Sequence, residues 1–241
     1  MSNLTVLSPA YNYEQASLMI QTANRVGLEP RLYDIGVLTD GHAGNIQYYD
    51  LLPILKNEVK TNYVLLTDAA DVAFLAGEEE IIDQFRWFPQ SFVVSAEREG
   101  CAGLNRTRER LHQMCIAANG YLPQINVGLW IATTQYAIEV LEKVRELWFS
   151  RPEDPDYSYN SHWQWLSMSK AWGLSGVDPE FDIDWHCRLF QSMSNTNGDV
   201  EYVIPDRRVH NKVTDTWPIA VHFNGDKTLG AYRSFVGRLL G

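Results

Sequence analysis

Apolar and polar positions fall into alternating blocks along much of the chain. Leu4 to Leu7 is a short apolar run that stops at Ser8-Pro9-Ala10, which predicts a strand. Tyr13 to Val26 carries Leu18, Met19, Ala23 and Val26 on one face at helical spacing, and Gly27 supplies a stop. Arg31 to Ile35 predicts a second strand, Thr39 to Asn45 a polar loop with glycines, and Tyr48 to Val59 a second helix. Tyr63-Val64-Leu65-Leu66 is short and wholly apolar, as a strand covered on both faces should be.

The alternation continues through a short helix at Glu78–Phe85 and a strand at Ser91–Ser95. An irregular, Arg-rich segment then leads to a strand at Asn126–Ala132. Gln135 to Phe149 has the clearest helical pattern, with Ile138, Leu141, Val144, Leu147 and Trp148 at helical spacing. Residues 150–161 read as a loop, Trp163 to Trp172 as a helix ending at Gly173, and the remainder as short strands and turns. Strand and helix in turn predict an α/β fold, a mainly parallel sheet flanked by helices. No repeat, low-complexity tract or linker divides the chain, so residues 1–241 are expected to form a single domain.

Composition adds limits. At 241 residues with 45% hydrophobic positions the chain can bury a sizeable core. Eight Trp and twelve Tyr suit sugar-binding surfaces, but large aromatics also fill cores. A net charge of −10 opposes tight non-specific binding of a polyanion. Two local basic clusters run against that balance: Arg98 with Arg106, Arg108 and Arg110, and Arg207 with Arg208, His210 and Lys212. Both also fit an ordinary solvated face. Cys101, Cys115 and Cys187 form no C-x-x-C pair, which points away from a disulfide framework or structural zinc. The opening residues lack a basic start followed by an apolar run, and no stretch approaches a membrane span. A cytoplasmic address is therefore expected, where the sequons at Asn3 and Asn105 would be silent.

The chemistry concentrates at strand ends. The apolar run Tyr63–Leu66 breaks into Thr67-Asp68-Ala69-Ala70-Asp71, two carboxylates separated by small residues. In open α/β sheets ligands bind beyond the carboxyl ends of the strands. Two acids there repel one another unless a cation or proton lies between them, and carboxylate oxygens suit Mg²⁺ or Mn²⁺. The plainer reading is a turn capped by Asp68, with Asp71 starting a short helix. A second apolar run, Pro218–Val221, ends in His222-Phe223-Asn224-Gly225-Asp226-Lys227. Its imidazole would complete an N/O ligand set, Gly225 permits close backbone approach, and Lys227 offers a cation to phosphate. A strand-end His before an ordinary Asn-Gly hairpin turn is the competing reading.

Five segments in order resemble the glycosyltransferase domain of the procollagen lysyl hydroxylases and related collagen glucosyl- and galactosyltransferases. Leu66-Thr67-Asp68-Ala69-Ala70-Asp71-Val72 resembles the family's T/V-D-x-x-D-V strand end, and Val94-Ser95-Ala96-Glu97 its second acidic strand end. Tyr121-Leu122-Pro123-Gln124-Ile125-Asn126-Val127-Gly128 is similar to Y-L-N-S-G-G. Asp184-Trp185-His186-Cys187-Arg188-Leu189-Phe190-Gln191 is similar to D-H-K-C-R-I-F-Q, and Val221-His222-Phe223-Asn224-Gly225 to H-G-N-G.

The resemblance implies a GT-A fold, a UDP-sugar donor carrying glucose or galactose, and Mn²⁺ (or Mg²⁺) held by Asp68, Asp71 and His222. Ser8, Ala10, Asp68, Asn126, Asn224, Gly225 and Lys227 are the positions expected to line the donor. The family's Lys sits one residue further on than Lys227. A general base for the acceptor hydroxyl would come from Glu97, Asp182 or Asp184, all of which also fit structural roles at strand ends or turns.

The departures lie on the acceptor side. The family's acidic run is replaced by Asn160-Ser161-His162-Trp163-Gln164-Trp165, and an aromatic after the A-E strand end by Glu99-Gly100-Cys101-Ala102. The acceptor hydroxyl is therefore left open among a protein, a glycan and a hydroxymethylated base in modified DNA. Two further classes remain: a non-catalytic sugar-nucleotide binding module, and a phospho- or nucleotidyltransferase using the same Asp pair. No P-loop accompanies the latter.

Overall fold

The computed structural model describes residues 2–10, 13–34, 51–99, 105–149, 166–167, 170–171, 180–196, 198–203, 206–225 and 229–241. The expected loops at 39–45 and 150–161, and Lys227, lie outside the described residues. So does most of the expected Trp163–Trp172 helix, of which 166–167 and 170–171 are helical.

The chain begins with β1 (Leu4–Ala10), α1 (Tyr13–Arg25) and β2 (Arg31–Asp34). A helical stretch over 51–57 precedes β3 (Tyr63–Thr67), and β4 (Val72–Phe74) leads to α2 (Glu78–Phe85) and β5 (Phe92–Glu97). Next come α3 (Asn105–Ala117), β6 (Gln124–Thr133) and α4 (Thr134–Phe149). The last part holds β7 (Asp182–Ile183), β8 (Phe190–Ser192), β9 (Val200–Val203), β10 (Arg208–Asn211), β11 (Ala220–His222) and α5 (Leu229–Leu240).

The main sheet has the order β2-β1-β3-β6-β5-β7. Strand β1 is parallel to β2 and β3, and β5 is parallel to β7, while β6 runs antiparallel between β3 and β5. All strands but β6 therefore point the same way, and their carboxyl ends share one edge. Alternate residues of β3 explain its unbroken apolar run. Val64 and Leu66 enter one buried cluster with Phe92, Val94 and Trp130, whereas Leu65 enters another with Val93, Leu129 and Ile131. Both faces are thus covered, and each fully buried large side chain contributes about 1.5–3 kcal/mol of transfer free energy.

A smaller sheet, β4-β11-β8, stands beyond the end of β3, and β9 and β10 form a separate antiparallel pair. Two helices correct the sequence reading. The Arg-rich segment expected to be irregular contains α3, anchored by buried Thr107, Leu111 and Cys115 four residues apart. The C-terminal part, expected as strands and turns, ends in α5, whose buried Tyr232, Phe235, Val236 and Leu239 follow helical spacing. They pack with Ala73, Val221 and Phe223 and so support the small sheet from behind. No helix among the described residues is long and apolar enough to cross a membrane.

Candidate active site

The site forms where β3 stops. Thr67 is the last paired residue of β3, opposite Leu129 of β6, and the Asp68 amide then donates to the Gly128 carbonyl at 2.8 Å. The chain turns through Asp71 into β4, whose Val72 pairs with His222 at the end of β11. The Phe223 amide donates to the Asp71 carbonyl at 2.9 Å, locking that register. An acid pair from one sheet and an imidazole from another are thereby brought together by backbone pairing.

One ligand atom each from Asp68, Asp71 and His222 lies within 4.8 Å of the others. The His222 Nε2 is 3.4 Å from Asp68 Oδ2 and 3.2 Å from Asp71 Oδ1. His222 is only 3% exposed; its Nε2 lies at ion-pair distance from both carboxylates, while Nδ1 has no hydrogen-bond partner. Burial disfavours the imidazolium, but the carboxylates of Asp68 and Asp71 outweigh burial and push the His222 pKa up to about 10. Two carboxylates held this close to one another repel unless a positive charge lies between them, whether the protonated imidazole or a cation. Two oxygens and a nitrogen converging in this way suit a divalent cation such as Mn²⁺ or Mg²⁺. The residues present fit the ion that the sequence implied.

Gly128 closes the floor of this cluster. A Cβ there would lie 2.4 Å from Asp68 Oδ2 and 2.4 Å from His222 Cε1. Its placement depends on an irregularity between β5 and β6. Val94 pairs with Trp130 but the next residue, Ser95, pairs with Asn126, so residues 127–129 leave the pairing with β5. Such bulges re-aim side chains near functional sites. Here the result is a turn in which Asn126 Oδ1 accepts from the Gly128 amide at 2.8 Å.

Glu97 sits beside this turn at the carboxyl end of β5 and is 7% exposed. Its Oε2 accepts from Asn126 Nδ2 at 3.0 Å and from Asn224 Nδ2 at 2.6 Å. Burial raises its pKa to about 7, against the opposing pull of those amides and of His222. Asn224 Oδ1 in turn accepts from Ser192 Oγ at 2.7 Å, and Ser192 pairs with His222 across β8 and β11. Ser192 and Gly128 were not singled out as site residues from sequence. Gly128 had a signal in the Asn126-Val127-Gly128 segment; Ser192 had none.

The other expected positions divide. Ser8 donates from Oγ to the Thr67 carbonyl at 2.8 Å, tying β1 to the end of β3, and buried Ala10 ends β1 opposite Asp34 of β2. Gly225 follows Asn224 with φ +96°, a backbone conformation that favours glycine. Asp182 and Asp184 stand apart. Asp182 pairs beside Val93, about 13 Å down the strand from Glu97 at roughly 3.3 Å per residue. Its Oδ2 accepts from the Gln90 amide at 3.2 Å. Asp184 is 0% exposed and accepts from the backbone amides of Arg188 (2.8 Å), Leu189 (2.7 Å) and Phe190 (2.8 Å). Burial raises its pKa to about 6 while those three amides pull it down.

No protein-family model matches the chain. A glycosyltransferase involved in glycosylation of the major capsid of PBCV-1 superposes with a TM-score of 0.55 at 14% identity, over 98% of both chains. The galactosyltransferase LgtC, solved with donor and acceptor sugar analogues, gives 0.55 at 13% identity over 98% of this chain and 96% of its own. Mouse xyloside xylosyltransferase 1 gives 0.50 at 9% identity over 94% and 98%. In sequence, bovine procollagen-lysine,2-oxoglutarate 5-dioxygenase 1 is 27% identical over 183 residues, 72% of this chain. The match spans only 22% of that relative's length. At such identities the shared property is the architecture, and it is the GT-A glycosyltransferase fold that the sequence motifs led us to expect.

Proposed function

We propose that residues 1–241 act as one catalytic domain, a metal-dependent glycosyltransferase moving a hexose, glucose or galactose, from a UDP-sugar to a hydroxyl acceptor. The observation that carries this reading is the convergence of Asp68, Asp71 and His222 at the carboxyl edge of a glycosyltransferase-type sheet. These three residues would hold Mn²⁺ or Mg²⁺, which supplies Lewis-acid neutralisation of the departing diphosphate. The protein's own part is to fix the three ligands before the donor arrives. Backbone pairing does so for Asp71 and His222, and the Asp68–Gly128 contact does so for Asp68. The Asn224-Gly225 turn would face the diphosphate, Ser8 and Ala10 the nucleotide side at the end of β1, and Lys227 is the cation we assign to the phosphate oxygens from its place in the sequence. Fixed charges and dipoles of this kind favour a transition state in which negative charge grows on the leaving group.

The acceptor is a hydroxyl compound. The relative named for procollagen lysine motivates a protein hydroxyl; a glycan hydroxyl fits the same chemistry. Modified DNA is disfavoured by the net charge of −10, and one arginine of each basic cluster is already ion-paired. Arg98 is held by Asp199 at 2.9 Å, and Arg208 bridges to Glu80 at 2.7 Å. A donor-binding module without turnover is the other reading, and the convergence of Asp68, Asp71 and His222 speaks against it.

UDP release from UDP-glucose and UDP-galactose, measured with and without Mn²⁺, tests the reading. Release is expected to require the ion and to fall at least about 100-fold in Asp71→Ala. Undiminished release in that variant would remove the metal assignment.

A further inference from the structure

Glu97 was expected as a candidate base, yet its surroundings are those of a tie-point between strands. One oxygen, Oε2, takes two amide hydrogens, from Asn126 at 3.0 Å and from Asn224 at 2.6 Å. Both carboxamides then use their oxygens on groups that border the ligand set. Asn126 Oδ1 holds the Gly128 amide at 2.8 Å, and Gly128 is the residue whose Cα leaves no space between itself, Asp68 and His222. Asn224 Oδ1 holds Ser192 Oγ at 2.7 Å, and Ser192 is the β8 partner of His222.

A single buried acid thus joins β5 to β6 on one side and to the segment after β11 on the other. Each arm ends against a residue that carries, or packs on, a metal ligand. Losing a group hydrogen-bonded directly to a metal ligand costs about 10–100-fold in metal affinity, which sets the upper range for a tie acting one step further out.

From this arrangement we infer that Glu97 is a positioning residue, which aligns Asp68 and His222 through Asn126 and Asn224 rather than accepting the acceptor's proton. The inference rests on the metal-dependent reading above and adds a residue to it. A proton acceptor needs an ionisable oxygen aimed at the acceptor. A tie-point needs only an oxygen that takes two N–H donors, and the amide oxygen of Gln supplies one in nearly the same shape. The two roles therefore separate on a conservative substitution.

The experiment measures free Mn²⁺ by electron paramagnetic resonance during titration of the wild type, Glu97→Gln, Glu97→Ala and Asn224→Ala, with UDP release assayed at saturating Mn²⁺. Thermal unfolding of each variant checks that it is folded. Glu97→Ala is expected to weaken Mn²⁺ binding by about 10–100-fold, with Glu97→Gln recovering most of that loss in both affinity and turnover. Asn224→Ala removes one arm alone and is expected to weaken Mn²⁺ binding about 10-fold, which keeps the inference testable if Glu97→Ala does not fold. Wild-type Mn²⁺ affinity in Glu97→Ala or in Asn224→Ala would overturn the positioning role. So would a Glu97→Gln variant that binds Mn²⁺ like the wild type but loses turnover by about 100-fold or more, the signature of lost proton transfer. A wild type that binds no Mn²⁺ would overturn the metal-dependent reading itself, an outcome distinct from either of these.

Discussion

A methyl group added at Gly128 would stand 2.4 Å from both an Asp68 oxygen and a His222 carbon, closer than atoms approach without something moving. The absent side chain is therefore part of the site. Gly128→Ala is expected to leave the fold intact, since the collision is with two side chains at the sheet edge, but to displace Asp68 and His222. Mn²⁺ affinity, followed by calorimetry, should fall about 10-fold or more; wild-type affinity would show that the ligands have room this structure does not give them. The three members of the Asp68, Asp71 and His222 cluster were legible in sequence for a physical reason. An apolar strand that breaks into polar residues announces a sheet edge, and both Asp68/Asp71 and His222 follow such breaks. Gly128 was harder to read, because its contribution is an empty volume. The two asparagine contacts of Glu97 were not legible, since a strand-end acid looks the same whether it faces acceptor, solvent or two asparagines.

Among the elements, β6 does the most to shape the site. Among the described residues it is the one antiparallel strand of the main sheet, and its irregular pairing with β5 lifts residues 127–129 toward the end of β3. The alternating pattern predicted a strand here with close bounds, but nothing in it marked the direction or the bulge. Helix α3 escaped notice because its buried stripe contains only Thr107, Leu111 and Cys115 among charged neighbours. Helix α5 carries a full helical stripe of Tyr232, Phe235, Val236 and Leu239, in a tail whose preceding residues do form the expected short strands and turns. The segment between β7 and β8 is organised by Asp184, whose carboxylate gathers three backbone amides. Asp184→Ala would leave those amides without their acceptor and is expected to cost about 3 kcal/mol or more, seen as a lower midpoint of thermal unfolding. An unchanged midpoint together with lost turnover would instead place Asp184 in the chemistry.

For the molecule as a whole, the architecture brings the carboxyl ends of β1, β3 and β5 to one edge and seats β4, β8 and β11 across it. That is why residues as distant in sequence as Asp68 and His222 meet, and why an alternating strand–helix reading sufficed to expect a crevice there. The net charge is −10, and Arg98 and Arg208, one from each basic cluster, are paired with Asp199 and Glu80. The proposed chemistry depends on the ion that the Asp68, Asp71 and His222 set would hold. Diffraction at the manganese absorption edge, from crystals soaked in Mn²⁺ and UDP, measures this directly. The account predicts one strong anomalous peak bonded to Asp68, Asp71 and His222 at about 2.0–2.3 Å, lost in Asp71→Ala crystals. A peak at some other group of side chains, or none at all with UDP bound, would contradict it.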